Sequence, residues 1–272
     1  MTVRKWIGTP LPAAFVGLAV TGLVACGPRE PASEAERLSR GRELVQQMST
    51  RLAAATEMSV TTTEMRDVVR ASGKEAVAQT GSYTVRRPNQ FYARMTGGRD
   101  LESWYDGKML TIASHEHKVF AQAPMPETID RTLDALAERY DMPLPMGDLF
   151  YSTATKALLH DTTTGGYVGI ENVGDDTRSV HLAFKDVGAD WELWLPAEGE
   201  PLPKRLKIVQ KSRRGQPVVD LTFTAWNFAP QISAGTFAAN VPADYEGIAI
   251  LQRAAAVKNT AAAASTAPAA PK

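Results

Sequence analysis

One stretch near the end of the chain carries the pattern that determines the fold, Val219-Asp220-Leu221-Thr222-Phe223-Thr224. Apolar and polar side chains alternate through it, so an extended strand would be apolar on one side and polar on the other. The stretch from Gln90 to Met95 alternates in the same way. Both stretches therefore predict strands that bury one face and expose the other to water.

The same alternation recurs along most of the chain and predicts a large antiparallel sheet. Further strands are predicted at Val60 to Val69, Ala76 to Arg86, Leu101 to Tyr105, Leu110 to Ala113, Val119 to Ala123, Tyr167 to Val173, Val180 to Phe184, Trp191 to Leu195 and Lys204 to Val209. Short turns such as Asp106-Gly107 and Arg214-Gly215 separate them, which favours hairpins between successive strands. A sheet of about ten strands curls, so we expect a strongly curved antiparallel meander.

Two stretches break the alternation and predict helices. Apolar residues recur at helical spacing from Ala35 to Ala54, which predicts one long amphipathic helix. Between Pro126 and Pro143 a second apolar stripe predicts a mid-chain helical insert, followed by one or two short helices. The predicted fold class is therefore α+β, with a strongly curved antiparallel sheet wrapped around an amino-terminal helix and a helical insert.

The beginning of the chain has the features of a signal peptide, which we assign to residues 1–25. Arg4 and Lys5 form a short basic region, and the apolar run from about Leu11 to Ala25 is too short for a comfortable membrane span. Cys26 follows and is the single cysteine of the chain, so it cannot form an internal disulfide. An uncleaved membrane anchor with an incidental cysteine is the alternative.

The end of the apolar run, Leu23-Val24-Ala25-Cys26, resembles the lipobox of bacterial lipoproteins. The resemblance implies cleavage before Cys26, a diacylglyceryl group on its thiol, and acylation of the new amino terminus by palmitate or a similar chain. Several acyl chains anchor a protein stably, whereas one binds only marginally. Gly27 stands where an aspartate would resemble the inner-membrane retention signal of enteric bacteria, so we expect a lipid-anchored protein of the outer membrane that faces the periplasm.

Composition divides the rest of the chain into three parts. Residues 26–34 suit a flexible tether, residues 35–253 form the single predicted domain, and residues 254–272 are an alanine- and proline-rich tail that we expect to be disordered. The 30 basic and 30 acidic residues balance. Balanced charge provides neither a basic footprint for nucleic acid nor a polybasic membrane patch, so no nucleic-acid partner is expected.

Several short stretches resemble a family of predicted periplasmic proteins of unknown function. They include Tyr105-Asp106-Gly107-Lys108, His181-Leu182-Ala183-Phe184, Asp190-Trp191-Glu192-Leu193-Trp194-Leu195 and Leu202-Pro203-Lys204-Arg205-Leu206. The order of elements also resembles the LolA/LolB-like half-barrel of the bacterial outer-membrane lipoprotein carrier and its membrane-anchored receptor. This resemblance implies an apolar concave face, closed by helices, that forms a pocket for acyl chains. The carrier's helix-locking arginine and the receptor's protruding aliphatic loop match no position in this chain.

Candidate catalytic and metal-binding residues are few. His115-Glu116-His117 has the spacing of a metal site, but it falls at an expected turn and no third ligand is evident, so no metal site is predicted. The chain has no Gly-x-Ser-x-Gly motif, and the paired acids Asp175-Asp176 fall in a turn. It also has no glycine-rich loop for a nucleotide cofactor. We therefore expect no enzyme activity, no catalytic residue and no cofactor.

Four tryptophans fall in predicted strands, Trp104, Trp191, Trp194 and Trp226. Trp191 and Trp194 have opposite parity, so one should face the inside of the half-barrel and the other the outside. Either the tryptophans fill the space between sheet and helices, or some of them line a lipid cavity.

The function predicted from these observations is the binding of an acyl chain, lipid or lipoprotein in the concave cavity. Such a protein would act in the transport, reception or sensing of envelope lipid or lipoprotein. The alternative is a non-enzymatic scaffold that binds an envelope protein partner and whose half-barrel is filled by its own helices. A carrier needs an open or openable apolar cavity, whereas a scaffold would be packed at ordinary interior density.

Overall fold

The computed structural model of the chain describes residues 30–142, 144, 146–174 and 177–252. Its first half contains helix α1 (Glu34–Ala53) and strands β1 (Glu57–Arg70), β2 (Gly73–Arg86), β3 (Gln90–Gly97), β4 (Leu101–Tyr105), β5 (Met109–Ser114) and β6 (Val119–Pro124). A helical insert follows, with α2 (Ile129–Tyr140), a 3₁₀ turn (Gly147–Phe150) and α3 (Ala154–Leu158). The second half contains β7 (Thr162–Val173), β8 (Thr177–Asp186), β9 (Ala189–Pro196), β10 (Arg205–Gln210), β11 (Val218–Asn227) and β12 (Glu246–Ile248). The predicted signal peptide, Cys26 and the predicted tail lie outside the described residues.

All of these strands belong to one sheet, in the order β12-β6-β5-β4-β3-β2-β1-β11-β10-β9-β8-β7. Strands β1 to β6 form one antiparallel meander and β7 to β11 form another, and the antiparallel pairing of β1 with β11 joins the two. The sheet is curved and not closed, with β12 and β7 at its edges. The predicted α+β half-barrel is confirmed, and each predicted strand is present.

One strand, β12, was not predicted from the sequence. It is only 3 residues long and exposed along its whole length, so it carries no alternation of apolar and polar side chains. It pairs with β6 in parallel, whereas the prediction was for antiparallel pairing throughout. Its place at the edge is held by side chains: Lys118 forms an ion pair with Asp244 at 2.9 Å, and the Tyr245 hydroxyl lies 2.6 Å from Nδ1 of His115.

The concave face of the sheet is packed with leucine along β8 to β11. The strand register places four leucines side by side in one row, which we call the leucine row: Leu182, Leu193, Leu206 and Leu221. Each is at most 1% exposed. Burial of a leucine side chain contributes roughly 1.5–3 kcal/mol, so this row is a main source of stability for the second meander.

Helix α1 covers this half of the concave face. Ser33 caps it, because the Ser33 hydroxyl accepts a hydrogen bond from the backbone of Glu36 and the Glu36 carboxylate accepts one from the backbone of Ser33. The buried stripe of the helix includes Val45, Met48 and Leu52, each fully shielded from solvent. The predicted amphipathic helix is therefore confirmed, and its apolar side faces the sheet.

A contact between two glycines sets how closely α1 approaches β7. A Cβ atom on Gly41 would lie 2.6 Å from the Cα of Gly166, and one on Gly166 would lie 2.2 Å from the carbonyl oxygen of Arg37. Gly166 also has φ +128°, a conformation that side chains with a Cβ rarely adopt. The Arg37 guanidinium donates to the carbonyl oxygens of Tyr167 and Val168 at the same crossing, both at 3.3 Å.

We expect Gly41→Ala to destabilise the protein by about 1–3 kcal/mol, because backbone atoms of β7 would have to move. The direction of the stability change distinguishes a steric contact from helix propensity. In an unconstrained helix interior, replacing glycine with alanine increases stability by about 1 kcal/mol. Urea unfolding followed by tryptophan fluorescence measures the change. Gly169→Ala on the same strand is the control, because a Cβ there meets no atom within 4 Å. A Gly41→Ala protein as stable as the wild type would contradict the close contact.

The helical insert covers the other half of the concave face. Thr128 caps α2 by accepting from the backbone of Arg131, and Ile129, Leu133 and Leu136 form its buried stripe. The 3₁₀ turn adds Phe150, whose ring lies 6.0 Å from that of Tyr83 on β2. The insert predicted from the sequence is confirmed, including the short helices that follow it.

Asp148 in the 3₁₀ turn is a partly buried carboxyl group. Burial raises its pKa to about 6, and the nearby charge of Asp186 adds to the rise. The folded state therefore favours the protonated carboxyl, so the free energy of unfolding falls as the pH rises from about 4 to 6.

Asp148→Asn should remove this pH dependence. We expect the variant to match the wild type below about pH 4 and to be more stable by up to about 3 kcal/mol above pH 7. Urea unfolding at a series of pH values tests this expectation. Asp161→Asn, at an exposed position, is the control. Stability curves for wild type and Asp148→Asn that run parallel across this pH range would show that the carboxyl titrates normally.

Candidate functional site

The first meander encloses a cavity of about 370 Å³ between its concave face and the helical insert. This volume lies within the range of small-molecule binding pockets. Most of the lining is apolar: Tyr83, Phe91, Ala93, Met95, Leu101, Leu110 and Ile112 come from the sheet, and Leu136, Met142, Leu144 and Met146 come from the insert. The concave face is therefore filled by α1 in one half and hollow in the other.

The side chains that form the walls of the cavity are set by the alternation of side chains along each strand. Side chains of β3 point alternately to the two faces, so Phe91, Ala93 and Met95 share the concave side. Register places Ala93 opposite Tyr83 on β2 and opposite Ser103 on β4. Small side chains at 93 and 103 leave space between larger neighbours, and this space is part of the cavity.

The segment that follows α2 covers the cavity on the side opposite the sheet. Asp141 has φ +50°, a left-handed conformation that terminates the helix and turns the chain across the opening. Its carboxylate lies 3.5 Å from the guanidinium of Arg213, which belongs to the turn between β10 and β11. This ion pair connects the insert to the sheet at the mouth of the cavity.

One end of the cavity is polar. Glu64 and Arg66 on β1, Gln79 on β2 and Arg99 in the turn after β3 all line it. Glu64 is 4% exposed and Gln79 is 5% exposed. The Arg66 guanidinium lies 3.6 Å from the Glu64 carboxylate, on the same face of the strand. We call these four residues the polar end.

The strand register places two residues of the polar end in the same row of side chains as the leucine row. Leu221, the last member of the leucine row, pairs with Glu64 on β1, and Glu64 pairs with Gln79 on β2. The same row across the sheet is thus leucine where α1 covers it and polar where the cavity opens. Apolar side chains at positions 64 and 79 would pack as well as the leucines do. The change from leucine to polar residues therefore occurs where the row reaches the cavity.

Several polar atoms at this end have no hydrogen-bond partner among the described residues: Oε1 of Glu64, Oε1 of Gln79 and Nε of Arg66. A buried polar group without a partner costs about 1–3 kcal/mol, and native proteins contain few of them. These three atoms belong to residues that line one end of the cavity.

Electrostatics at the polar end differ from those of a solvent-exposed surface. Burial, with a contribution from the Glu64 charge, raises the pKa of Tyr83 to about 12, so its hydroxyl stays neutral. Desolvation lowers the pKa of Arg99, and the like charge of Arg66 lowers it further. The charge of Glu64 acts on Arg99 in the opposite direction and partly offsets these effects.

His115 and His117 occupy the turn between β5 and β6, as predicted. Nε2 of His115 lies 2.9 Å from the Glu102 carboxylate, while the side chain of His117 is 70% exposed. In the part of the chain that the structure describes, no group of three or more His, Cys, Asp or Glu residues is arranged to hold a metal ion. His115 therefore connects the strand edge to the segment before β12.

The tryptophans lie in strands, and the parity prediction for Trp191 and Trp194 is confirmed. Trp191 belongs to the concave core and stacks on Phe184 with ring centroids 4.3 Å apart. Trp194 lies on the other face, stacked on His181 at 4.5 Å with the Arg205 guanidinium 4.8 Å from its ring. Among the described residues that line the cavity, none is a tryptophan. The tryptophans thus contribute to packing of the sheet on both faces.

The polar end was not predicted from the sequence. Its signal was available in β1, where Met58, Val60 and Thr62 occupy the inward positions and Glu64 and Arg66 continue the same parity. A charged residue at an inward position is unusual. The pattern alone does not show which residues of β2 and β3 lie beside it, because that depends on strand register.

No helix among the described residues combines the length and apolar character needed to cross a membrane. Fold and cavity together define a class of protein: an α+β half-barrel whose open, curved sheet encloses an apolar pocket with one polar end. The chain belongs to the DUF2092 family of predicted periplasmic proteins, which it matches over residues 41–251. This match confirms the family resemblance seen in the sequence. A search of curated proteins found no match.

Solved structures with a similar fold come from several bacteria. A conserved uncharacterized protein from Thermus thermophilus shares 11% identity, with a TM-score of 0.45 over 76% of this chain and 98% of that chain. The lipoprotein LppX from Mycobacterium tuberculosis shares 11%, with a TM-score of 0.40 over 70% and 98%. A LolA superfamily protein from Nitrosomonas europaea shares 10%, with a TM-score of 0.36 over 74% and 98%. Similarity at this level carries no information about ligands or partners.

Proposed function

We propose that this protein is a non-enzymatic periplasmic lipoprotein that binds an acyl chain or another amphipathic lipid in its concave cavity. The single observation that carries the proposal is the open apolar cavity of about 370 Å³ in a sheet whose other half is filled. Burial of an alkyl chain is worth about 0.8 kcal/mol per methylene, so a cavity of this kind supplies affinity without covalent chemistry. The role would be transport, reception or sensing of envelope lipid or lipoprotein.

The scaffold alternative is favoured by one observation, the burial of the leucine row and of the apolar side of α1 against the second meander. A protein that only docks to an envelope partner needs no hollow. The cavity under the insert therefore favours lipid binding, and the following substitution distinguishes the two functions.

Ala93→Trp should block the cavity, because Ala93 lies on its wall with Tyr83 and Ser103 as neighbours across the strands. We expect affinity for N-phenyl-naphthylamine, an uncharged apolar fluorophore, to fall by about tenfold or more, which corresponds to about 1.4 kcal/mol. The measurement is fluorescence titration of the chain from Gly27 to Lys272. Ser82→Trp places the same side chain on the exposed face of β2 and should leave binding intact.

Circular dichroism and thermal unfolding confirm that both variants are folded. If the wild type does not bind the fluorophore and carries no lipid by native mass spectrometry, the scaffold function is the better one. Equal affinity of wild type and Ala93→Trp would place binding elsewhere than in this cavity.

The proposal includes anchoring in the outer membrane through acyl chains on Cys26, which rests on the lipobox resemblance. In an enteric host supplied with labelled palmitate, we expect the wild-type chain to be labelled and Cys26→Ser to be unlabelled, because the acylated thiol is absent. Gly27→Asp is the matched variant: it should keep the label and move to the inner-membrane fraction. Label retained by Cys26→Ser would exclude this anchor.

A further inference from the structure

The charges at the polar end of the cavity indicate which headgroup a ligand carries. An inference about the headgroup rests on the proposed function, since it concerns the ligand of the same cavity. The charged residues of the lining are three arginines and two acids: Arg66, Arg99, Arg213, Glu64 and Asp141. Asp141 and Arg213 pair with each other at the mouth. The inner group thus has two arginines against one glutamate, an excess of one positive charge.

Pairing within this inner group is incomplete. The separation of 3.6 Å between the Arg66 guanidinium and the Glu64 carboxylate is longer than a hydrogen bond, and Nε of Arg66 has no partner in the described part of the chain. Arg99 faces the like charge of Arg66 and is partly desolvated. Guanidinium groups hold carboxylates and phosphates through two parallel hydrogen bonds, so an anion would satisfy both arginines together.

The arginines are the accessible charges at this end. The Arg66 side chain is 19% exposed, whereas the Glu64 side chain is 4% exposed, so a ligand meets the guanidinium before the carboxylate. The apolar walls begin directly beside this end, with Met95 and Leu101 in the adjoining row.

We infer that the cavity binds a single-chain amphiphile with one anionic group, a carboxylate or a phosphate, held between Arg66 and Arg99 while its alkyl chain lies along the apolar walls. The excess positive charge selects against cationic headgroups, and the modest volume favours one chain.

The test is displacement of N-phenyl-naphthylamine from the chain Gly27 to Lys272 by four amphiphiles with the same alkyl chain, each kept below its micelle concentration. These are palmitate, hexadecyl phosphate, hexadecanol and hexadecyltrimethylammonium. We expect at least one of the two anions to displace the probe at a concentration about tenfold lower than hexadecanol, and the cation to be the weakest. Comparison of the two anions distinguishes a carboxylate headgroup from a phosphate.

Arg99→Gln should remove most of the preference for the anion and leave hexadecanol unchanged. The variant is expected to fold, because Arg99 lies in a turn and its side chain is largely exposed. Arg66→Gln leaves Glu64 without its partner, so the double variant Glu64→Gln with Arg66→Gln is the appropriate second test. Arg70→Gln is the control, since Arg70 lies on the same strand, pairs with Glu75 and is outside the cavity.

Three outcomes overturn the inference, and they are distinguishable. If anion and alcohol displace the probe equally, the headgroup inference is wrong while lipid binding in the cavity stands. If the probe binds but no amphiphile displaces it, or if the probe does not bind at all, the proposed function fails as well. An anion preference that persists in both Arg99→Gln and the double variant also overturns the assignment to this end of the cavity.

Discussion

The antiparallel pairing of β1 with β11 is the contact on which the rest of the structure depends. It joins two meanders that are each built from local hairpins and makes them one curved sheet. The pairing brings together residues that lie 153 positions apart (Arg66 and Val219) to 168 positions apart (Ser59 and Asn227), but the entropic cost of loop closure grows only slowly with length. Because of this contact, Glu64 lies beside Leu221, and one row of side chains runs from the packed half of the concave face into the cavity.

The two halves of the concave face are completed in different ways. In the second meander, α1 lies close to β7 through the contact of Gly41 with Gly166, and the leucine row is fully covered. In the first meander, the insert bridges the sheet and leaves a hollow with polar groups that lack partners among the described residues. A protein selected only for stability would fill this hollow with apolar side chains. Departures of this kind from good packing are expected at functional sites.

Much of the fold could be predicted from the sequence because its signals are local. Alternation such as that of Val219 to Thr224 identifies a strand wherever one face is buried, and helical spacing identifies α1 and the insert. Strand β12 was missed because an exposed edge strand needs no alternation. The candidate site was predicted only as an apolar concave pocket. Its polar end was missed. The alternation shows that Glu64 faces inward, but only the strand register shows that it lies between Gln79 and Leu221.

The sequence by itself determined the fold class, the order of the helices and of every strand except β12, the alternation of buried and exposed side chains in strands such as β3 and β11, and the resemblance to a periplasmic family that the family match confirms. These properties depend on neighbours in the chain. Only the tertiary structure decided which half of the concave face is filled and which is hollow, and which charged side chains meet in the hollow. The physical reason is that register and helix placement are set by long-range contacts, among them the pairing of β1 with β11 and the approach of α1 to β7.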